Sequence, residues 1–542
     1  MKKSSLTTAV VAGLAGAAGL VNVSNAVNIN PDGLGQVLIY PYYTVNEGNQ
    51  TLLSVVNTTD SVKAVKVRFL EGLNSREVLD FNLYLSPFDV WTAAVHDAGV
   101  DTGPAIASSV DNSCIVPRQL GAEGEPFKNF QYTGDFDDEG PQGLDRTREG
   151  YIEMIEMGTV VDTDLAAAAT HTAAGVPLDC EELRDAWRAG GVWADDADFG
   201  MEMEPGGLFG GGEIVDALDG TNASYNADAI EGFFLGFADD PTLHTGPGST
   251  LPSLANVRDD GAPLGVVEPG TATAVVFDNG TTVTMTFDAG APDAVSALFM
   301  HNEIYNEFVT DAALGASSEW VLTFPTKRLH IESTDIEPFT DIFEDDGVAC
   351  EPIEILGPDL YFNREEATPG NVPEDLPFSP PPPGVVAPGT NLCFEAQVLT
   401  FNQEDAVTAG ASEVLGSRYA ANINTCISFA DGECVDGAVF ANGWARLRLG
   451  GLTTQLDNTA PEFLDHVLTE NDVDGDGFAN QALGLPVTGF WVARYINENV
   501  GDGILANYSA IHKHRADRDG VTVDAATGDV ILDGTGAAVA WS

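Results

Sequence analysis

Apolar and polar residues alternate most regularly in the stretch 49–91. Across 64–70, Val65, Val67 and Phe69 share one side while Lys66 and Arg68 share the other, the two-residue period of a strand with one buried face. Across 78–85 the same period sends Leu79, Phe81, Leu83 and Leu85 inward and Asp80, Asn82 and Tyr84 outward. Thr59-Asp60-Ser61, Gly72-Leu73-Asn74-Ser75 and Ser86-Pro87 separate the runs with residues that favour turns. The pattern predicts a β-meander that forms one wall of a sandwich, since strands recurring at this spacing build sandwiches or barrels.

Further strands are predicted at 36–43, where Tyr40, Tyr42 and Tyr43 pack at a sheet edge or form a binding ledge, and at 149–157. A hairpin is predicted at 271–287, joined by Asp278-Asn279-Gly280, because Asn-Gly supplies the positive φ angles of a tight turn. Strand patterns return at 319–324, 329–331, 392–401, 443–449, 487–496 and 503–511. Helical signals are fewer. Asp179 reads as an N-cap with Glu182 three residues on, placing Cys180, Leu183 and Trp187 on one face before Gly190-Gly191 ends the helix. A second helix is expected over 292–308, with Val295, Leu298, Phe299 and Tyr305 on one face.

The glycine run 206–212 lacks the spacing and the lysine of a phosphate loop and reads as a tight surface turn. Prolines crowd 363–390 and exclude regular structure there. No fixed-period repeat is visible. The fold expected is mainly β, with antiparallel sandwich domains of immunoglobulin-like type and a helix-containing insertion. Residues 27–160 would form the N-terminal sandwich, completed by 265–335. Residues 161–264 would be a helix- and glycine-rich insertion, and 336–542 a second β region.

Charge narrows the functional classes. The 83 acids against 23 bases give a net charge of −60, which disfavours nucleic acid and anionic membranes as partners. With 44% hydrophobic residues, the chain is too apolar for a disordered acidic segment. Lys2 and Lys3 precede an apolar stretch and Ser24-Asn25-Ala26, the pattern of an export signal over 1–26 with cleavage before Val27. No later segment is apolar enough to span a membrane as a helix. An exported chain with six cysteines predicts disulfides, and among the 15 possible connectivities sequence neighbours are preferred: Cys114–Cys180, Cys350–Cys393 and Cys426–Cys434. The second of these would staple the proline-rich loop at its base.

One motif points to a metal. Asp472, Asp474 and Asp476 alternate before Gly477, and with the Phe478 carbonyl and Asn480 they resemble the first half of an EF-hand loop for Ca²⁺. Leu483 stands where that loop needs a glutamate, so the remaining ligands must come from elsewhere, and an acidic surface turn is the alternative. His512-Lys513-His514 could pair two imidazoles on a strand, but Arg515 and Arg518 beside them favour a solvated basic patch. Lys327 and Arg328 are expected to pair with carboxylates. There is no G-x-S-x-G elbow and no H-E-x-x-H helix, while carboxylate pairs for glycoside hydrolysis are too many to select by sequence.

At 83–91 (LYLSPFDVW), 320–328 (WVLTFPTKR) and 379–383 (SPPPP) the wording resembles an uncharacterised family of secreted or cell-surface proteins of Gram-negative bacteria. That resemblance implies a compartment and no activity. The expectation is therefore an exported structural or adhesive cell-surface protein of the surface-layer or filament type, held by disulfides and Ca²⁺, that self-assembles or binds other surface components. A secreted hydrolase or carbohydrate-binding protein is the alternative.

Overall fold

In a computed structural model, residues 26–541 are described except 234–241, 257–270, 279, 289–290, 333–335, 344–346, 354–360, 365–389, 403–411, 425–428, 431–432, 435–439, 454–461, 465, 472–474, 498–505 and 534–536. The export signal and the proline-rich loop fall outside the described residues, apart from a few at their ends.

Fourteen strands make the first two sheets. They are β1 (Asn28–Ile29), β2 (Val37–Thr44), β3 (Asn49–Asn57), β4 (Val62–Glu71), β5 (Glu77–Leu85), β6 (Val90–Asp97), β7 (Ala105–Ser109), β8 (Cys114–Val116), β9 (Gly121–Pro126), β10 (Glu149–Val160), β11 (Met201–Glu202), β12 (Leu208–Asp216), β13 (Thr221–Asn226) and β14 (Asp228–Glu231). One sheet runs β1-β14-β2-β10-β4-β5-β8 with β11 on β10, and the other runs β13-β12-β3-β6-β7-β9. Val65, Val67 and Phe69 of β4 and Phe81, Leu83 and Leu85 of β5 meet Leu53, Val55, Trp91 and Val95 of the second sheet in one core. The protein is mainly β. Its sheets of eight and six strands are not the seven- or nine-strand pattern of an immunoglobulin domain.

The strands that close this sandwich differ from the sequence expectation. β12, β13 and β14 lie inside 161–264 and pair into both sheets, whereas Ala272–Asp278 and Thr281–Phe287 form a hairpin of their own. Only Gly206 and Gly207 of the glycine run precede the strand, at positive φ; residues 208–212 are not a turn but part of β12, flanked by β3 and β13. A Cβ at Gly210 would collide with the Tyr40 hydroxyl, and one at Gly212 with the Tyr225 ring. Glycine in a strand marks such a close approach.

A third layer corrects the polar face of the meander. Asn82 and Tyr84, expected outside, are fully buried, as is Lys66. Helices Thr163–Ala169, Cys180–Trp187 and Val192–Asp195, the 272–287 hairpin and helix Ala291–Phe299 cover that side, and Tyr84, Ile155 and Met157 share a second core with Leu183, Trp193 and Leu298. β10 is consequently buried at every position. The Asp179 carboxylate caps the helix Cys180–Trp187, accepting from the Glu181 N–H at 3.0 Å.

The second β region, expected over 336–542, also takes in Glu303–Val309 and Ala316–Thr323 from the segment expected to complete the sandwich: a five-stranded sheet, in the order Ala420–Asn424, Ala396–Asn402, Ala316–Thr323, Thr488–Tyr495, Tyr508–Lys513, packs over a four-stranded sheet that contains Glu303–Val309 and Asn442–Arg448. Trp320, Leu322, Phe401, Leu447 and Trp491 fill its core. Their strand neighbours Val321, Val398 and Phe490 join the sandwich core instead. The helix expected over 292–308 stops at Phe299, because 303–309 alternates and is claimed by the ladder with Asn442–Arg448; Tyr305 lies on that strand. Residues 329–331 belong to a short helix, Lys327–Ile331, rather than a strand.

Cys114–Cys180 and Cys350–Cys393 are bonded, with Cα atoms 5.2 and 3.9 Å apart. Cys426 lies outside the described residues, so the expected bond to Cys434 does too.

Candidate functional site

An antiparallel sheet with one solvated face normally alternates apolar residues with polar ones, and in so acidic a chain those polar positions should carry charge. The outer face of the six-stranded sheet does not. Ser54 of β3, Thr92 and Ala94 of β6, Ser108 of β7, Gly211 of β12 and Ser224 of β13 floor an open trough of about 720 Å³. Leu52, Phe209 and Val110 stand exposed along it, and Glu213 is its sole carboxylate. Alternation fixes which side chains point there: β13 buries Thr221, Ala223 and Tyr225 and exposes Asn222, Ser224 and Asn226. Beneath the floor Tyr225 stacks on Phe490 with ring centroids 5.1 Å apart. The sequence carries the signal for this face as small and hydroxyl side chains at alternate positions, but it shows only once six strands are aligned.

Tyr40, Tyr42 and Tyr43 form no ledge. All three are fully buried. Their hydroxyls donate to Ser54 O at 2.7 Å, Glu149 Oε2 at 2.7 Å and Thr147 O at 3.1 Å. Burial raises all three phenols well above their ordinary pKa.

Many buried acids serve the fold. Lys63 Nζ meets Glu156 Oε1 at 2.5 Å. Arg68 bridges Glu77 at 2.7 Å and Glu153 at 2.6 Å, and Arg146 joins Glu71 at 2.8 Å to Asp138 at 2.6 Å. Burial pushes the Glu156 carboxyl up to about 7 against the pull of Lys63. It pushes Glu395, hydrogen-bonded by Ser75 Oγ at 3.0 Å, up to about 8. Lys327 is buried and donates to the carbonyls of Ala349, Leu392 and Cys393, so its bonds are to backbone rather than to the carboxylates expected. Arg328 does pair with Glu332, at 3.2 Å.

Of the calcium-like run, Asp472 and Asp474 lie outside the described residues. Asp476 Oδ1 accepts from the Phe478 N–H at 2.8 Å, closing a turn. Phe478 and Asn480 belong to the strand Phe478–Leu483, where the Asn480 N–H donates to Glu470 Oε1 at 2.6 Å. No group of three or more His, Cys, Asp or Glu among the described residues could hold a metal. Were the run to hold Ca²⁺, Asp476 and Asn480 would be its side-chain oxygen donors among the described residues, and a six- to eight-oxygen shell would also need Asp472 and Asp474.

The imidazoles of His512 and His514 have separate neighbours. His512 stacks on Trp491 at 5.3 Å, while His514 lies by Trp320 and bonds Val321 O at 2.9 Å. Lys513 pairs with Asp228. No helix among the described residues is long and apolar enough to cross a membrane. No family model matches the chain, and comparison with curated proteins and with solved structures finds no significant match.

Proposed function

We propose that this is an exported structural or adhesive cell-surface protein, of the surface-layer or filament type, whose contact face is the outer side of the six-stranded sheet. The observation that carries the reading is the near-absence of charge from that trough in a chain of net charge −60. Copies of so acidic a molecule repel each other wherever carboxylates face. A neutral, small-residue surface edged by Leu52, Phe209 and Val110 is where a second surface can approach closely and bury apolar area at about 25 cal/mol per Å². Ca²⁺ held at Asp472, Asp474, Asp476, Phe478 and Asn480, together with ambient salt, would offset the remaining repulsion.

Electron microscopy and light scattering of the purified protein with and without Ca²⁺ test this. Ordered assembly that Ala94→Glu abolishes is the expected result. A monomer in both conditions, with no assembly dependent on Ala94, sinks it. The alternative, a carbohydrate-binding protein, draws on the same trough, because the exposed Phe209 lines it together with the hydroxyl-bearing Ser54, Thr92 and Ser108. It predicts hits on a glycan array that Phe209→Ala removes, with the protein monomeric throughout.

A further inference from the structure

The trough leaves unexplained the cations gathered where the sandwich meets the second β region. There a cavity of about 190 Å³ opens among Ile29 and Asp228, the end of the helix Ala291–Phe299, and the segment 513–518. Lys513, Arg518, His301 and His514 all line it. Two basic side chains in one small space are unusual where acids outnumber bases 83 to 23.

The partners of each charge can be traced. Lys513 pairs with Asp228, which also accepts from the Thr488 hydroxyl. Arg518 bonds no carboxylate among the described residues. One of its nitrogens, Nη2, donates to Leu298 O near the C-terminal end of the helix. The acid that attracts it, Asp278, does not line the cavity and accepts from Trp541 Nε1 at 3.2 Å. Asp517 is directed elsewhere, its carboxylate bonded by the Tyr305 hydroxyl at 2.6 Å. The lining therefore holds two cations against one carboxylate that is already shared.

An orphaned atom lies in the same place. The Asp517 backbone hydrogen-bonds the His301 imidazole, but its buried Nδ1 meets no hydrogen-bond partner among the described residues, and a buried polar atom without a partner calls for an explanation. An acceptor oxygen in the cavity would supply one. The same oxygen's parent group would complete the charge of Arg518, which burial holds down at about 10. The volume suits a group of a few heavy atoms with ordered water.

We propose that the cavity lined by Lys513, Arg518, His301 and His514 binds an oxyanion, a phosphate or sulfate group. Arg518 and Lys513 supply the charge-assisted hydrogen bonds that such groups favour, and His301 Nδ1 supplies a further donor. Lys513 is 62% exposed and stands at the mouth, so the group can arrive as a free ion or as an ester on a surface polysaccharide. The inference does not depend on the assembly reading, because this cavity and the trough share no lining residue.

Calorimetric titration with inorganic phosphate and with sulfate, against chloride at equal ionic strength, is the test. Saturable binding weakened at least about tenfold, equivalent to about 1.4 kcal/mol, by Lys513→Gln and by His301→Gln is expected. Arg518→Gln should abolish it, but that variant also frees a helix carbonyl, so the other two, checked for native circular dichroism, are the deciding variants. Dextran sulfate and plain dextran separate the sources. Stronger, Lys513-dependent binding of dextran sulfate marks a polymer-borne ester, whereas binding of the inorganic ions alone marks a free one. No saturable heat with any of the three anions, or unchanged affinity in both folded variants, overturns the proposal.

Discussion

Lys63 Nζ lies 2.5 Å from Glu156 Oε1 on adjacent strands of the eight-stranded sheet, and neither side chain reaches solvent. Removing one partner of such a pair strands a charge, at a typical cost of about 3–5 kcal/mol, whereas replacing both with apolar groups is often neutral. Above about pH 7, where Glu156 is ionised, Glu156→Gln should therefore be severely destabilised in denaturant unfolding, and Lys63→Met/Glu156→Leu should not.

The same carboxyl predicts a pH dependence. Its folded pKa of about 7 exceeds the ordinary 4.5, so the native state holds the proton more tightly than the unfolded one. The stability this contributes is fully present below about pH 4.5 and is lost as pH rises through about 7, on the order of 3 kcal/mol in all. Between pH 5 and pH 8 the unfolding free energy should fall more steeply in the wild type than in the double variant.

Gly212→Ala drives a methyl into the Tyr225 ring. Overpacking of this kind costs about 1–3 kcal/mol, visible as a lower Tm. Shortening the ring in Gly212→Ala/Tyr225→Leu should recover part of the loss, and no recovery would show that backbone strain rather than collision is responsible.

The Cys114–Cys180 bond fixes the helix Cys180–Trp187 beside the open edge of β8. There Gln119 Oε1 accepts from the Ile115 N–H at 2.8 Å, and Arg184 Nε donates to Ile115 O at 3.2 Å. These contacts block strand addition at that edge. Cys114→Ser/Cys180→Ser should lose about 2–4 kcal/mol and become susceptible to trypsin at Arg184 and Arg188, read by limited proteolysis.

Chelation should lower Tm if the Asp472–Asn480 run holds Ca²⁺, and Asp474→Ala should make the protein indifferent to the chelator. Retained sensitivity in that variant would place the ion elsewhere.

Legibility in the sequence varies with the kind of physics involved. The inward set Val65, Val67, Phe69, Phe81, Leu83 and Leu85 follows from a two-residue period and is plain from the chain alone. The burial of Lys66, Asn82 and Tyr84 is not, because one polar face looks the same whether water or a third layer lies over it. Gly210 and Gly212 read as a turn because glycine signals backbone freedom and close packing alike, and only Tyr40 and Tyr225 distinguish them. The trough is a property of six aligned strands, so no single segment announces it. The disulfides Cys114–Cys180 and Cys350–Cys393 are legible since each joins sequence neighbours.

The turn 72–75 grips the second β region. Ala396 N–H donates to Gly72 O at 2.9 Å and Glu395 N–H to Leu73 O at 3.3 Å, while Ser75 links Glu395 to Tyr151. Opening that seam would wet Tyr151 and Glu395 together with the shared faces of Val321, Val398 and Phe490. The two regions should therefore melt as one cooperative unit, with a single calorimetric peak. A fragment ending near residue 335 would keep the meander intact yet behave as a sticky, partly denatured species.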